Sequence, residues 1–179
     1  MQALDNLVKT NSLKKEPRDL NEFSGMLESA RLQLTDSQNS SLSMQSRFTL
    51  AYGAAHSLSL AALRWFGYRS DNRYLVFQCL QHTLGLEPKK WRLLDLCHKK
   101  RDLAEYEGYT LRLSICRGVG YVRSPQSLSF SKLLGIHLLA AYLHFELLWL
   151  FVDIEPSLIE ALVEVTLELL ERVDNLRTS

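Results

Sequence analysis

The sequence contains little proline and little glycine, with four prolines and eight glycines in 179 residues. These residues interrupt helices and mark tight turns, so their scarcity favours long helices. No segment of useful length alternates polar and apolar residues, as a half-buried strand would. Both absences argue against a sandwich or barrel and predict an all-α fold.

Cysteine is also scarce. Cys79, Cys97 and Cys116 are odd in number and form no CxxC pair. This excludes a disulfide framework and does not fit a cysteine-based zinc site. The first twenty residues lack an apolar core of signal-peptide length. We therefore expect free, buried thiols and a cytoplasmic location, with no metal and no cofactor.

Neither sign of charge is in excess, because 21 lysines and arginines oppose 20 acidic residues for a net charge of +1. Nothing in this balance indicates a nucleic-acid or acidic partner, although a local site could still bind RNA. The apolar fraction of 46% and the chain length are sufficient for one sizeable core.

Apolar residues recur at helical spacing along most of the chain. Residues 1–17 are mainly polar, and we interpret them as a lead-in to a single bundle over 18–179. A first helix begins at Asp19, turn and cap residues occupy 35–41, and a short helix follows the break after residue 66. Longer helices are predicted over 42–66, 88–107 and 156–176. The predicted core includes Leu60, Leu63, Leu94, Leu162 and Leu169.

The composition changes between Thr110 and Val152, where the chain has no aspartate and a single glutamate, Glu146. Residues 133–152 are mostly apolar and long enough to span a membrane. However, a carboxylate at bilayer depth costs on the order of a few kcal/mol. We expect a buried or partner-covered helix with no stable membrane span, and we interpret His137 and His144 as packed histidines. Membrane association through this run is the alternative.

A polar cluster lies in the segment LCHKKRDLAEYEGYT. His98, Arg101, Asp102 and Glu105 are spaced i, i+3, i+4 and i+7, so they share one helix face, and Tyr106 adjoins it. One interpretation is a solvated face with internal ion pairs, since Glu105 is at i+4 from Arg101. The other interpretation is a functional site.

The segments SRFTLAYGAAHSLSLAALRWFGY and HKKRDLAEYEGY, together with the segment from Asp153 onward, resemble the HEPN domain family of prokaryotes. The resemblance covers residues 18–109 and 153–176. It implies an up-and-down bundle of four to five helices that usually dimerises. Members often accompany a minimal nucleotidyltransferase in toxin–antitoxin or defence systems, or act as metal-independent RNases. Residues 110–152 then form an insertion containing an apolar helix before the last bundle helix.

The RNase motif of that family is an Arg, then four to six residues, then a His. The residue directly after the Arg is polar. Arg101 and Asp102 match the first two positions, but Tyr106 stands where the His would be. A histidine titrates near neutral pH, whereas the reference pKa of tyrosine is about 10. The resemblance also places a neighbouring helix with Tyr52 and His56 beside this motif.

We therefore expect a non-catalytic HEPN-like binding module, with Tyr52, His56 and Glu105 as binding residues. Its expected partners are a second copy of the chain, a nucleotidyltransferase, and RNA or a nucleotide. The alternative is an RNase toxin whose altered site uses Arg101 and Asp102 with His98 or Tyr106.

Overall fold

A computed structural model describes the backbone of residues 2–106 and 154–178, and the side chains of residues 2–103 and 154–177. These residues form six helices and one short antiparallel sheet, which confirms the predicted all-α bundle. In chain order the elements are α1 Gln2–Lys9, β1 Lys14–Lys15, α2 Leu20–Ser37, α3 Met44–Trp65, β2 Tyr68–Arg69, α4 Arg73–Thr83, α5 Pro88–Tyr106 and α6 Pro156–Thr178.

Capping side chains fix where three of the helices begin. The Asp19 carboxylate accepts hydrogen bonds from backbone amides at the start of α2, Ser43 does so for α3, and Asn72 for α4. Each cap satisfies amides that have no partner within their own helix. The predicted turn over 35–41 begins later than expected, because α2 continues through Ser37, whose hydroxyl donates to the Leu34 carbonyl.

Helix α3 is the centre of the bundle and packs against α2, α4, α5 and α6. Its small residues allow neighbouring backbones to approach closely. A Cβ at Gly53, for example, would collide with the Gln33 side chain of α2. The main core has large buried side chains from five helices, including Phe23, Phe48, Leu58, Phe77, Leu94, Leu162 and Leu169.

Four of the five predicted core leucines are buried, and Leu60 is the exception. Leu60 is only partly buried, and it packs at the edge of a second, smaller core. That core joins Leu4 and Leu13 from the first seventeen residues to residues of α3, β2 and α4. The segment 1–17 is thus more than a polar lead-in, because Leu4 and Leu13 provide enough apolar surface to dock it on the bundle.

The buried Arg64 of α3 ties this terminal segment to the bundle. Its guanidinium is 3% exposed, donates to the Glu22 carboxylate at 2.8 Å, and also donates to the Pro17 carbonyl at 3.0 Å and the Glu16 carbonyl at 3.4 Å. Burial of a guanidinium requires such partners, since an unpaired buried charge costs several kcal/mol. The two carbonyl contacts hold the chain before α2 against the end of α3, and the contact with Glu22 holds the first turn of α2 there.

Several predictions lie outside the described residues: the insertion at 110–152 with its apolar run 133–152, His137, His144, Glu146 and Cys116. None of the six described helices is both long enough and apolar enough to cross a membrane. The two described cysteines, Cys79 and Cys97, are buried and unpaired, and burial raises the pKa of their thiols to about 11 and about 12.

Candidate functional site

Three helices meet at a group of polar and aromatic side chains, and each contributes a pair spaced i,i+4. Residues so spaced lie on the same face of a helix, one turn apart. We call this group the Tyr52 cluster. It comprises Tyr52 and His56 of α3, Arg73 and Phe77 of α4, and His98, Arg101 and Asp102 of α5.

Tyr52 forms the floor of the cluster, with only 1% of its surface exposed. Its hydroxyl lies 3.1 Å from Nδ1 of His98, within hydrogen-bond distance. On the other side of the imidazole, Nε2 lies 3.4 Å from Oδ2 of Asp102. The His98 ring is therefore placed between a phenol and a carboxylate, so that both of its nitrogens face polar partners.

Aromatic packing fixes the orientation of the rings. Tyr52 lies nearly parallel to His56 and to His98, at centroid distances of 6.3 and 6.2 Å. Phe77 meets Tyr52 edge-on at 6.0 Å and His56 edge-on at 5.9 Å, geometries that aromatic quadrupoles favour. Helix α4 thus closes the apolar side of the cluster.

Two arginines supply positive charge at the cluster. The Cζ atom of Arg101 lies 5.3 Å from the centroid of the Tyr52 ring, which is cation–π distance. Arg73 comes from the first turn of α4, where its guanidinium interacts electrostatically with Tyr52 and His56. Both guanidinium groups therefore act on the same two rings.

Burial and these charges shift two pKa values. Burial raises the pKa of Tyr52, and this rise is only partly opposed by a hydrogen-bond interaction with Arg73 and by the charges of Arg73 and Arg101. Burial is also the largest cause that lowers the pKa of His56 to about 4, followed by the positive charges of Arg73, His98 and Arg101. Near neutral pH, His56 is therefore an uncharged ring and Tyr52 an uncharged phenol.

The structure brings together five of the seven residues singled out in the sequence: Tyr52, His56, His98, Arg101 and Asp102. The other two, Glu105 and Tyr106, belong to the last turn of α5, and their side chains lie outside the described residues. The side chains of His98 and Arg101 are 17% and 20% exposed, and that of Asp102 is 39% exposed. This part of α5 is therefore half-buried, and Asp102 forms ion pairs within the helix with His98 and Arg101.

Sequence reasoning missed Arg73 and Phe77. An arginine directly after an N-cap resembles any surface arginine, and Phe77 resembles any core residue. The one available signal was their i,i+4 spacing on a helix that follows α3 along the chain. That signal says nothing about which face of α4 meets Tyr52.

The cluster combines two guanidinium groups, those of Arg73 and Arg101, with the hydrogen-bonded imidazole of His98. Guanidinium groups present several N–H donors and bind phosphate through paired hydrogen bonds. Within the described ranges, no group of histidine, cysteine and carboxylate side chains is arranged to hold a metal ion. Of the two imidazoles, His98 is the one with both ring nitrogens beside polar groups, the Tyr52 hydroxyl and the Asp102 carboxylate.

Comparisons of the chain with protein-family models, curated proteins and solved structures find no match.

Proposed function

We propose that this chain is a HEPN-like binding module that holds RNA or a nucleotide by its phosphate without cleaving it. The observation that carries the proposal is the placement of Arg101 over the ring of the buried Tyr52, with its side chain 20% exposed. A guanidinium in a half-buried position is partly shielded from water. Its attraction to a phosphate is therefore stronger than on an open surface.

The arrangement of the imidazoles argues against cleavage. A general base for attack by a ribose 2′-hydroxyl needs a free ring nitrogen and a pKa near the working pH. Both nitrogens of His98 face partners, Tyr52 on one side and Asp102 on the other. His56 has a pKa of about 4 and is therefore a weak base. Neither histidine has what the reaction requires.

RNA binding and RNA cleavage by the purified full-length chain test this proposal together. We expect binding that weakens with rising salt, because phosphate contacts release counterions. Substitution Arg101→Gln should weaken binding about tenfold or more, since a charge-assisted hydrogen bond to phosphate is lost. No cleavage product should accumulate. Equal binding by the wild type and Arg101→Gln would refute the proposal.

A second candidate function is metal-independent RNA cleavage, and the Tyr52–His98–Asp102 arrangement favours it. Asp102 is the most exposed of the three, and rotation of its side chain would free Nε2 of His98 for a substrate. In that case the wild type should cleave RNA in the presence of a chelator. Substitution His98→Gln should abolish cleavage while binding persists.

We also propose that the module forms a homodimer and accompanies a minimal nucleotidyltransferase. These two proposals rest on the resemblance to the HEPN family alone. The molar mass of the purified chain in solution, measured by light scattering, tests the first. Co-purification with a nucleotidyltransferase expressed from a neighbouring reading frame tests the second.

A further inference from the structure

We propose that Arg73 of α4 is a second phosphate-binding residue, which together with Arg101 of α5 holds one phosphate ester at the rim of the Tyr52–His56 rings. This inference rests on the proposed function, because it assigns a further residue to the same site. It adds a third helix to the binding surface and predicts two guanidinium contacts where the sequence motif contains one.

The packing of α4 places Arg73 at this rim. Phe77 contacts both Tyr52 and His56 edge-on, so this face of α4 is turned toward these two residues. Arg73 precedes Phe77 by four residues and lies one turn away on the same face. Arg73 is half-buried, whereas Phe77 is fully buried. The half-buried guanidinium of Arg73 thus lies beside the cluster, where it interacts with the Tyr52 hydroxyl.

The described carboxylate of the Tyr52 cluster, that of Asp102, pairs with residues of its own helix. Asp102 lies 3.4 Å from His98 and 4.0 Å from Arg101. In the described part of the chain, no carboxylate lies within 4.0 Å of Arg73. A half-buried guanidinium without a carboxylate partner beside neutral rings leaves a local excess of positive charge. A phosphate would balance that charge.

The proposed ligand group is a phosphate ester, which RNA carries either at its end or within the chain. A terminal phosphate carries a charge of about −1.5 to −2 near neutral pH. An internal phosphodiester carries a single charge and continues in both directions. Two guanidinium forks from different helices can engage either group by paired hydrogen bonds. The experiment therefore compares both sources.

The test measures binding of one RNA oligonucleotide, prepared with a 5′-phosphate and with a 5′-hydroxyl, over a range of salt concentrations. The proteins are the full-length wild type and Arg73→Gln, Arg73→Lys and Arg101→Gln. The matched control is Arg92→Gln, because Arg92 is an exposed arginine of α5 that lies over Trp91, with 5.6 Å from its Cζ atom to the ring centroid. Circular dichroism verifies that each variant is folded.

We expect Arg73→Gln to weaken binding about tenfold or more, and to lower the slope of log affinity against log salt by about 0.7. Arg73→Lys should keep the salt slope and lose several-fold in affinity, because lysine has the charge without the fork. Arg92→Gln should bind within about twofold of the wild type. A larger loss for the 5′-phosphate RNA assigns the arginine pair to the terminal phosphate, and an equal loss assigns it to an internal one.

Two results would overturn the inference. One would also refute the proposed function, and the other would refute only the role of Arg73. If the wild type binds neither RNA, the proposed function fails and the role of Arg73 fails with it. If the wild type binds and Arg101→Gln weakens binding while Arg73→Gln does not, only the role of Arg73 fails. Should Arg73→Gln not fold, wild-type affinity of a folded Arg73→Lys variant would still refute a guanidinium contact.

Discussion

The hydroxyl oxygen of Tyr52 lies 3.1 Å from Nδ1 of His98, and this contact joins α3 to α5 across 46 residues of sequence. Tyr52 is 1% exposed, so the hydrogen bond is shielded from competing water. The bond orients the imidazole with Nε2 toward Asp102. The position of His98 therefore depends on a residue of the central helix.

The first prediction concerns this hydrogen bond. Substitution Tyr52→Phe keeps the ring and its packing but removes the hydroxyl. Nδ1 of His98 then loses its partner, and leaving a buried polar atom unsatisfied costs about 1–3 kcal/mol. We expect the free energy of unfolding, measured by urea denaturation, to fall by that amount.

The matched control for Tyr52→Phe is Tyr74→Phe. Tyr74 is 40% exposed, and removal of its hydroxyl should change the free energy of unfolding by less than about 0.5 kcal/mol. Equal effects of the two substitutions would show that the contact between Tyr52 and His98 contributes nothing to stability.

The second prediction concerns acid stability and His56. Its pKa is lowered from 6.5 to about 4, so between these values the unfolded chain binds more protons than the folded chain. Stability must therefore fall as the pH falls from 6.5 toward 4. His56 should contribute about 2 kcal/mol of this loss between pH 7 and 4.5. Burial is the largest cause of the lowered pKa, followed by the charges of Arg73 of α4 and of His98 and Arg101 of α5.

Urea denaturation of the wild type and of His56→Gln at several pH values tests this contribution. The difference in unfolding free energy between the two proteins should decrease toward acidic pH. His82→Gln serves as the control, because His82 is exposed on the last turn of α4. If His56→Gln loses stability on acidification as steeply as the wild type, the imidazole is not held neutral by the fold.

The third prediction compares two arginines that contact the same two glutamates, Glu16 and Glu22. Arg64 is 3% exposed, whereas Arg69 is 46% exposed. Arg64→Ala removes a buried charge from its partners and should lower the free energy of unfolding by about 3–5 kcal/mol. Arg69→Ala removes a solvent-screened surface ion pair and should lower the free energy of unfolding far less than Arg64→Ala does. Denaturation midpoints measure both, and similar losses would contradict the role assigned to burial.

The fourth prediction concerns the position that departs from the RNase motif. If the site descends from an RNase, Tyr106→His should produce RNA cleavage that the wild type lacks, because a histidine can exchange protons near neutral pH. The double variant Tyr106→His/Arg101→Ala should lose it again. Tyr106→Phe is the control for a change of ring without a titrating group. Absence of cleavage by Tyr106→His would refute descent of the site from an RNase, and it would not affect the proposal that the site binds RNA.

The sequence predicted the main helices because their apolar spacing is regular and their caps are clear. Leu94, Leu162 and Leu169 are buried as expected from that spacing alone. The apolar spacing did not predict the docking of the first seventeen residues. Their composition is mainly polar, and the apolar face that packs on the bundle is short, formed by Leu4, Leu7 and Val8. The two-residue strands β1 and β2 are too short to show any alternation of polar and apolar residues.

The candidate site was accessible from the sequence only in part. The residues on α3 and α5 could be found because those on each helix are close together along the chain and share one helix face. Arg73 could not be found, because its role depends on how α4 is rotated against α3. The packing of Phe77 against Tyr52 and His56 is one determinant of that rotation, and it is a tertiary property.

Helix α4 lies between the two cores. Phe77 and Leu80 belong to the main core, whereas Val76 and Cys79 belong to the smaller core that includes Leu4. The orientation of α4 is therefore set jointly by the bundle and by the terminal segment. Deletion of the first seventeen residues would remove Leu4 and Leu13 from the core that contacts Val76 and Cys79 of α4, although neither leucine belongs to the Tyr52 cluster. If the Tyr52 cluster binds a ligand through Arg73, ligand binding and the docking of the first seventeen residues are thermodynamically linked, and the ligand would in turn favour the docked terminus.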